Sequence, residues 1–243
     1  MLYQLLKPPA KIVIDIVWRP VVRGLHHVPA SGPVILASNH LALCETIIMP
    51  TQLSRVVHFL GKSDFFAGGS TIKRLFGWAM RQLEVMPVDR SGATASASAI
   101  EAGCAVLRAG KILGIYPEGT RSPDGRLYRG KTGAMRMALA TDSPVVPIAM
   151  LGTFEAQKGR RIFPRRHPRI HVLFGEAYRP SERAAELRAE GMDEATVLRV
   201  LTDDLMARIQ EMSQQEQVDE YASEVKKRLR KAAGTDHLPE PLL

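Results

Sequence analysis

Residues 33–50 read "PVILASNHLALCETIIMP". It opens on an apolar run, and residues 34–38 read as a short buried strand. Residues 41–52 are apolar over a helical length and predict the helix that follows it. At the junction and just inside the helix sit His40 and Glu45, the strongly proton-active side chains of the stretch. Five positions along a regular helix turn through about 500°, so these side chains would point apart on one. They can pair only if His40 precedes the first turn and its imidazole folds back onto Glu45. A carboxylate so placed holds the ring in one tautomer and stabilises its protonated form. The helix N-terminus disfavours the imidazolium, and the balance leaves a base usable near neutral pH. The alternative is a satisfied structural histidine at a helix start.

Working outward, strands are expected at 55–60, 145–151 and 170–174, and strands running into loops at 85–92 and 112–122. Helices are expected at 93–109 and 131–141, with an amphipathic piece at 72–82. This alternation argues for an α/β fold, a largely parallel mixed sheet flanked by helices. Residues 25–180 form that α/β domain. After Pro180 the chain turns helical, with Leu198, Leu201, Leu205, Ile209 and Met212 at helical spacing. Residues 181–243 are expected to be a C-terminal helical tail packed on the same domain, its basic run "KKRLRK" solvated.

Residues 1–24 carry Leu5, Leu6, Ile12, Val13, Ile14, Ile16 and Trp18 interleaved with Lys7, Lys11, Asp15, Arg19 and prolines. The charges and prolines argue against a signal peptide or a membrane span. The mixture suits a short N-terminal helix in the plane of a membrane interface, or a first helix packed on the core. The chain of 243 residues is 45% apolar and 24% charged, a globular composition. Its net charge of +8 points to an anionic partner: nucleic acid, a phospholipid surface or a phosphorylated substrate. No nucleic-acid recognition motif or aromatic platform accompanies that charge, so no nucleic acid is expected. Residues 158–171 set Ile162 and Phe163 among five arginines and are a second candidate membrane contact. Cys44 and Cys104 show no metal or redox spacing and fit a reducing compartment.

The polar residues that do not fit a core are His40, Glu45, Arg90, Glu118 and Arg121, nearly all at expected strand ends. Ligands of open α/β sheets gather outside the carboxyl ends of strands, so these clusters suggest one site. In "YPEGTRS", residues 116–122, Arg121 offers a planar fork for phosphate oxygens and Gly119 permits close backbone approach. Glu118 would repel a phosphate and is expected to orient Arg121 or a ligand hydroxyl. There is no Gly-x-Ser-x-Gly elbow, and Cys44 reads as helix packing. A base without a nucleophile implies that the attacking group, an alcohol or water, belongs to a substrate.

These residues resemble the PlsC-type 1-acylglycerol-3-phosphate acyltransferases of the wider glycerolipid acyltransferase superfamily. Four ordered blocks carry the resemblance: "NHLALCE", "GKSDFF…FGWAMRQLEVMPVDRS", "YPEGTRS" with "RGKTGAMRMAL" behind it, and "PVVPIAMLGT". The helical tail resembles that of actinobacterial members. The resemblance implies a reaction in which His40 deprotonates the free hydroxyl of a lysophospholipid, which then attacks an acyl-CoA or acyl carrier protein thioester. Lys62, Arg90, Glu118, Gly119, Thr120 and Arg121 would surround the acceptor's glycerol phosphate. No metal or redox cofactor is implied, and the expected location is the cytoplasmic face of the cell membrane, peripheral or monotopic. Glu45 stands where the family pattern has Asp; its charge is retained, and its extra methylene alters the pair geometry. Other lysophospholipid or glycolipid acceptors, and a non-catalytic lipid-binding role, are the alternatives.

Overall fold

The unbroken burial of successive residues in the central strands builds this molecule around a sheet covered on both faces. The structure, a computed structural model, describes residues 2–62, 85–88, 95–158 and 164–234. The expected amphipathic piece at 72–82 lies outside the described residues. Seven strands form the main sheet: β1 (Val21–Arg23), β2 (Val34–Ser38), β3 (Val57–Lys62), β4 (Val85–Val88), β5 (Ile112–Ile115), β7 (Val145–Leu151) and β8 (His171–Phe174). Their spatial order is β1-β8-β7-β2-β5-β3-β4. Five run parallel, while β8 pairs antiparallel to β7 and carries β1 parallel to itself. This is the largely parallel mixed sheet expected from the sequence. A two-stranded ladder, β6 (Leu127–Tyr128) with β9 (Gln217–Val218), stands apart from it.

In β2, Ile35 and Ala37 face one side of the sheet, and Val34 and Leu36 face the other. The first face is covered by α3 (Ala95–Arg108), α4 (Gly133–Thr141), α6 (Pro180–Ala189) and α7 (Glu194–Ser213). From α7, Leu198, Leu201, Leu205 and Ile209 are buried against it, as their spacing requires. The second face is covered by α1 (Leu2–Val17), α2 (Glu45–Thr51) and the short α5 (Thr153–Ala156), through Ile14, Ile48, Met49 and Ala156. The last helix, α8 (Ala222–Ala233), joins neither layer; Ala222 and Val225 are buried on Tyr128 of β6.

Three differences from the sequence reading have local causes. The helix expected at 41–52 begins only at Glu45, because residues 41–44 wrap back around that residue's own carboxylate. The sheet takes its first strand from Val21–Arg23, ahead of the expected domain start at residue 25, by pairing with β8. The basic tail is not wholly solvated, since α8 is fastened to the segment carrying β6. Main-chain bonds from Leu127 to Glu216 and from Arg129 to Glu220 secure it, at 2.9 and 3.0 Å.

Gly114 of β5 is required by packing. A Cβ there would lie 2.5 Å from the Phe59 ring, which stacks on Tyr116 and, through it, on His40. Gly114→Ala is expected to overpack this site and cost about 1–3 kcal/mol, read as a lower urea midpoint.

Candidate active site

Because β2, β5 and β7 are parallel, their carboxyl ends open on one edge of the sheet. His40 follows β2, Tyr116–Arg121 follow β5, and Thr153 follows β7. Sequence-distant groups therefore meet at this edge, as open parallel sheets dictate.

The His40 imidazole folds back as its position ahead of the helix allows. Its Nδ1 lies 2.8 Å from Glu45 Oε2, while Nε2 has no hydrogen-bond partner among the described residues. Glu45 is fully buried and accepts from every group around it. The Leu41 amide donates to both of its oxygens, at 3.1 and 3.0 Å, and the Thr153 hydroxyl donates to Oε1 at 2.5 Å. An acceptor-only carboxylate places the proton on Nδ1 and leaves Nε2 with its lone pair. The longer Glu side chain is thus accommodated within a closed set of donors.

His40 is only 15% exposed along its side chain, and its ring stacks face to face on Tyr116 with centroids 3.8 Å apart. Burial pushes its pKa below the usual imidazole value. Glu45 opposes the shift, and the neighbouring positive charges of Arg121 and Lys226 reinforce it. The ring is consequently neutral at physiological pH, the form a general base requires. Burial pushes the Cys44 thiol up to about 12, so it is protonated and inert as a nucleophile.

The 116–122 turn grips the His40 main chain from both sides. The His40 amide donates to Glu118 Oε1 at 2.9 Å, and the Ser122 amide donates to the His40 carbonyl at 2.7 Å. Glu118 Oε2 accepts from the Tyr128 amide at 3.0 Å, and the residue is fully buried. Both Glu118 oxygens thus go to main-chain amides, and none of its hydrogen bonds with described residues is to Arg121, which it was expected to orient. Burial pushes its carboxyl up to about 8 against the pull of those amides.

Gly119 adopts φ +74° at the crest of the turn, a left-handed conformation that favours glycine. Arg121 is exposed and makes no hydrogen bond or ion pair with a described residue. The Thr120 hydroxyl accepts from Lys226 Nζ of α8 at 3.1 Å. Lys62 ends β3 at the same edge, and Arg90 lies outside the described residues.

Sequence reasoning missed four participants. Asn39 anchors the end of β2, donating to the Met150 carbonyl at 2.9 Å and accepting from its amide at 2.7 Å. Tyr116 and Thr153 lay at the edges of blocks already singled out. Lys226 had no signal, because its run read as a solvated tail.

The Acyltransferase family model matches residues 19–151. A chloroplastic 1-acyl-sn-glycerol-3-phosphate acyltransferase of Arabidopsis thaliana is 32% identical over 133 residues, 54% of this chain and 36% of that protein. A 1-acyl-sn-glycerol-3-phosphate acyltransferase of Borreliella burgdorferi is 27% identical over 161 residues, 63% of this chain and 62% of that one. The chain therefore spans less than two thirds of the length of these relatives. Among solved structures, the 1-acyl-sn-glycerophosphate acyltransferase PlsC of Thermotoga maritima superimposes with a TM-score of 0.62 at 21% identity. The match covers 86% of this chain and 79% of that one, a likeness of fold.

Glu118→Gln would turn an amide NH2 group toward one of the two main-chain donors. It is expected to cost about 1–3 kcal/mol in urea unfolding, the penalty of a buried donor left without an acceptor.

Proposed function

From the premise that this chain belongs to the acyltransferase family, we propose that it acylates the free hydroxyl of 1-acylglycerol 3-phosphate at a membrane surface, giving phosphatidic acid. The observation that carries this reading is the His40–Glu45 pair, its Nε2 without a hydrogen-bond partner among the described residues and the Arg121 charge nearby. His40 Nε2 takes the hydroxyl proton as the oxygen attacks the thioester carbonyl of acyl-CoA or acyl carrier protein. The tetrahedral intermediate collapses with loss of the thiolate, which receives the proton back from His40. Glu45 stabilises the transient imidazolium, and no acyl-enzyme forms. Arg121, two residues after Gly119 in the same turn, receives the acceptor's phosphate. The relatives' names support the choice of acceptor.

A lipid chain of about sixteen carbons would cost on the order of 10 kcal/mol to bring into water, at about 0.8 kcal/mol per methylene. The enzyme should therefore meet its acceptor in the bilayer, which we place at the cytoplasmic face. Support comes from α1, which is amphipathic with its apolar face outward. Leu5, Ile12 and Ile16 are 71%, 59% and 64% exposed. Leu43 and Ile47, at the start of the neighbouring α2, are exposed as well. Basic residues flank this surface: Arg166 and Arg169 donate to the carbonyls of Val17 and Arg19, at 3.1 and 3.2 Å. No described helix is long and apolar enough to cross a membrane, which fits contact in the plane of the interface.

His40→Ala and Glu45→Ala are each expected to lower kcat roughly 10²–10⁴-fold with lysophosphatidic acid and acyl-CoA. Near-normal turnover of Glu45→Ala would sink its assigned role, and preference for another lysolipid in a panel would reassign the acceptor. The acid limb of kcat/KM should lie below pH 6.5, because burial and the nearby cations lower the His40 pKa. Ile12→Asp together with Ile16→Asp should abolish flotation with anionic liposomes, and added salt should weaken wild-type flotation. Salt-insensitive binding would count against the electrostatic contribution.

A further inference from the structure

Lys226 is anomalous for a lysine of a C-terminal helix. The helix α8 is docked by its apolar side, Ala222 and Val225 closing on Tyr128 with Leu229 alongside. The β6–β9 ladder pins the segment just before it, and Gln215 Nε2 donates to the Gly125 carbonyl at 2.6 Å. Docking in this way directs Lys226 at the 118–121 turn, where its Nζ reaches Thr120 Oγ1 at 3.1 Å. Elsewhere on α8, Arg228 has its counter-charge in Glu220 at 2.8 Å. Lys226 is half-buried and forms no ion pair with a described carboxylate, and neither does Arg121. A third cation, Lys131, lies over Gly119, its side chain 3.3–3.4 Å from where a Cβ on that glycine would be.

A half-buried ammonium beside a second positive charge, with no ion-pair partner among the described residues, is costly, and an anion arriving between the two offsets that cost. We infer that Lys226, delivered by the C-terminal helix, binds the acceptor's phosphate together with Arg121 and selects for a phosphomonoester headgroup. The inference rests on the proposed lysophosphatidic acid acceptor. It assigns the tail a part in the site: α8 is the wall of the headgroup pocket opposite the β5 turn. A dianionic phosphomonoester matches these cations better than a phosphodiester paired with its own ammonium group, or a neutral glycerol.

Burial pushes the Lys226 ammonium down to about 8. Arg121 and Arg230 add to this fall, and Glu118 opposes it. The cation is therefore lost as pH rises through about 8, and phosphate binding restores it. Acceptor affinity should fall on that alkaline side.

Steady-state kinetics on purified wild type, Lys226→Met and Lys226→Arg test this, with lysophosphatidic acid varied at saturating acyl-CoA. Lys226→Met should raise the acceptor KM roughly ten- to hundredfold, the worth of one charge-assisted hydrogen bond, with a much smaller change in kcat. Lys226→Arg should restore KM and remove the rise in KM above about pH 8, because the guanidinium stays charged. Thermal melting of each variant separates folding from binding. Should Lys226→Met not fold, the alkaline behaviour of Lys226→Arg alone decides. An unchanged KM in folded Lys226→Met, or an alkaline rise that persists in Lys226→Arg, overturns the inference. A wild-type protein that is active on other acceptors and inert toward lysophosphatidic acid overturns the underlying function instead.

Discussion

The main chain of His40 is clasped by a turn from the neighbouring strand, and the rest of the site depends on that clasp. Glu118 spends both carboxylate oxygens on main-chain amides, one at His40 and one at Tyr128. The Ser122 amide closes the other side on the His40 carbonyl. Burial without an ion pair pushes this carboxyl up to about 8, toward its neutral form. Here it ties the end of β2, the turn after β5 and the β6 segment into one unit. The imidazole can then be positioned by Glu45, because its backbone has little freedom left.

Opposed charges set the working state of that imidazole. Glu45 favours the imidazolium, while burial and the positive charges of Arg121 and Lys226 oppose it. The resting ring is neutral, as a base must be. On the proposed reading, a bound phosphate neutralises the cations that oppose protonation, so His40 becomes more basic when its acceptor is present. The same two residues would thus hold the headgroup and tune the base, a coupling through space that needs no moving part.

Much of the architecture was legible because its signals are local. The aliphatic run at 34–38 and the one at 145–151 form strands with the bounds expected of them. Leu198, Leu201, Leu205 and Ile209 are buried as their helical period requires. The pairing of His40 with Glu45 was also readable, since helix geometry forbids it within a regular turn and allows it only ahead of one. The two amide contacts of Glu118 were not readable, because the sequence does not display which main-chain groups the fold brings to it. The Val21–Arg23 strand and the β6–β9 ladder were missed because such short strands carry too little pattern to stand out from loop.

By itself, then, the sequence determined the layered α/β plan, the pairing of His40 with Glu45, and the arginine beside a glycine turn. These follow from periodicity and from chemistry compressed into a few neighbouring residues. Only the tertiary structure decided which way Glu118 points, that Thr153 completes the donor set of Glu45, and that Lys226 meets Thr120 across a sequence separation of 106. Such contacts are made by strand order and helix docking, which bring together residues whose separation along the chain carries no record of their distance in space.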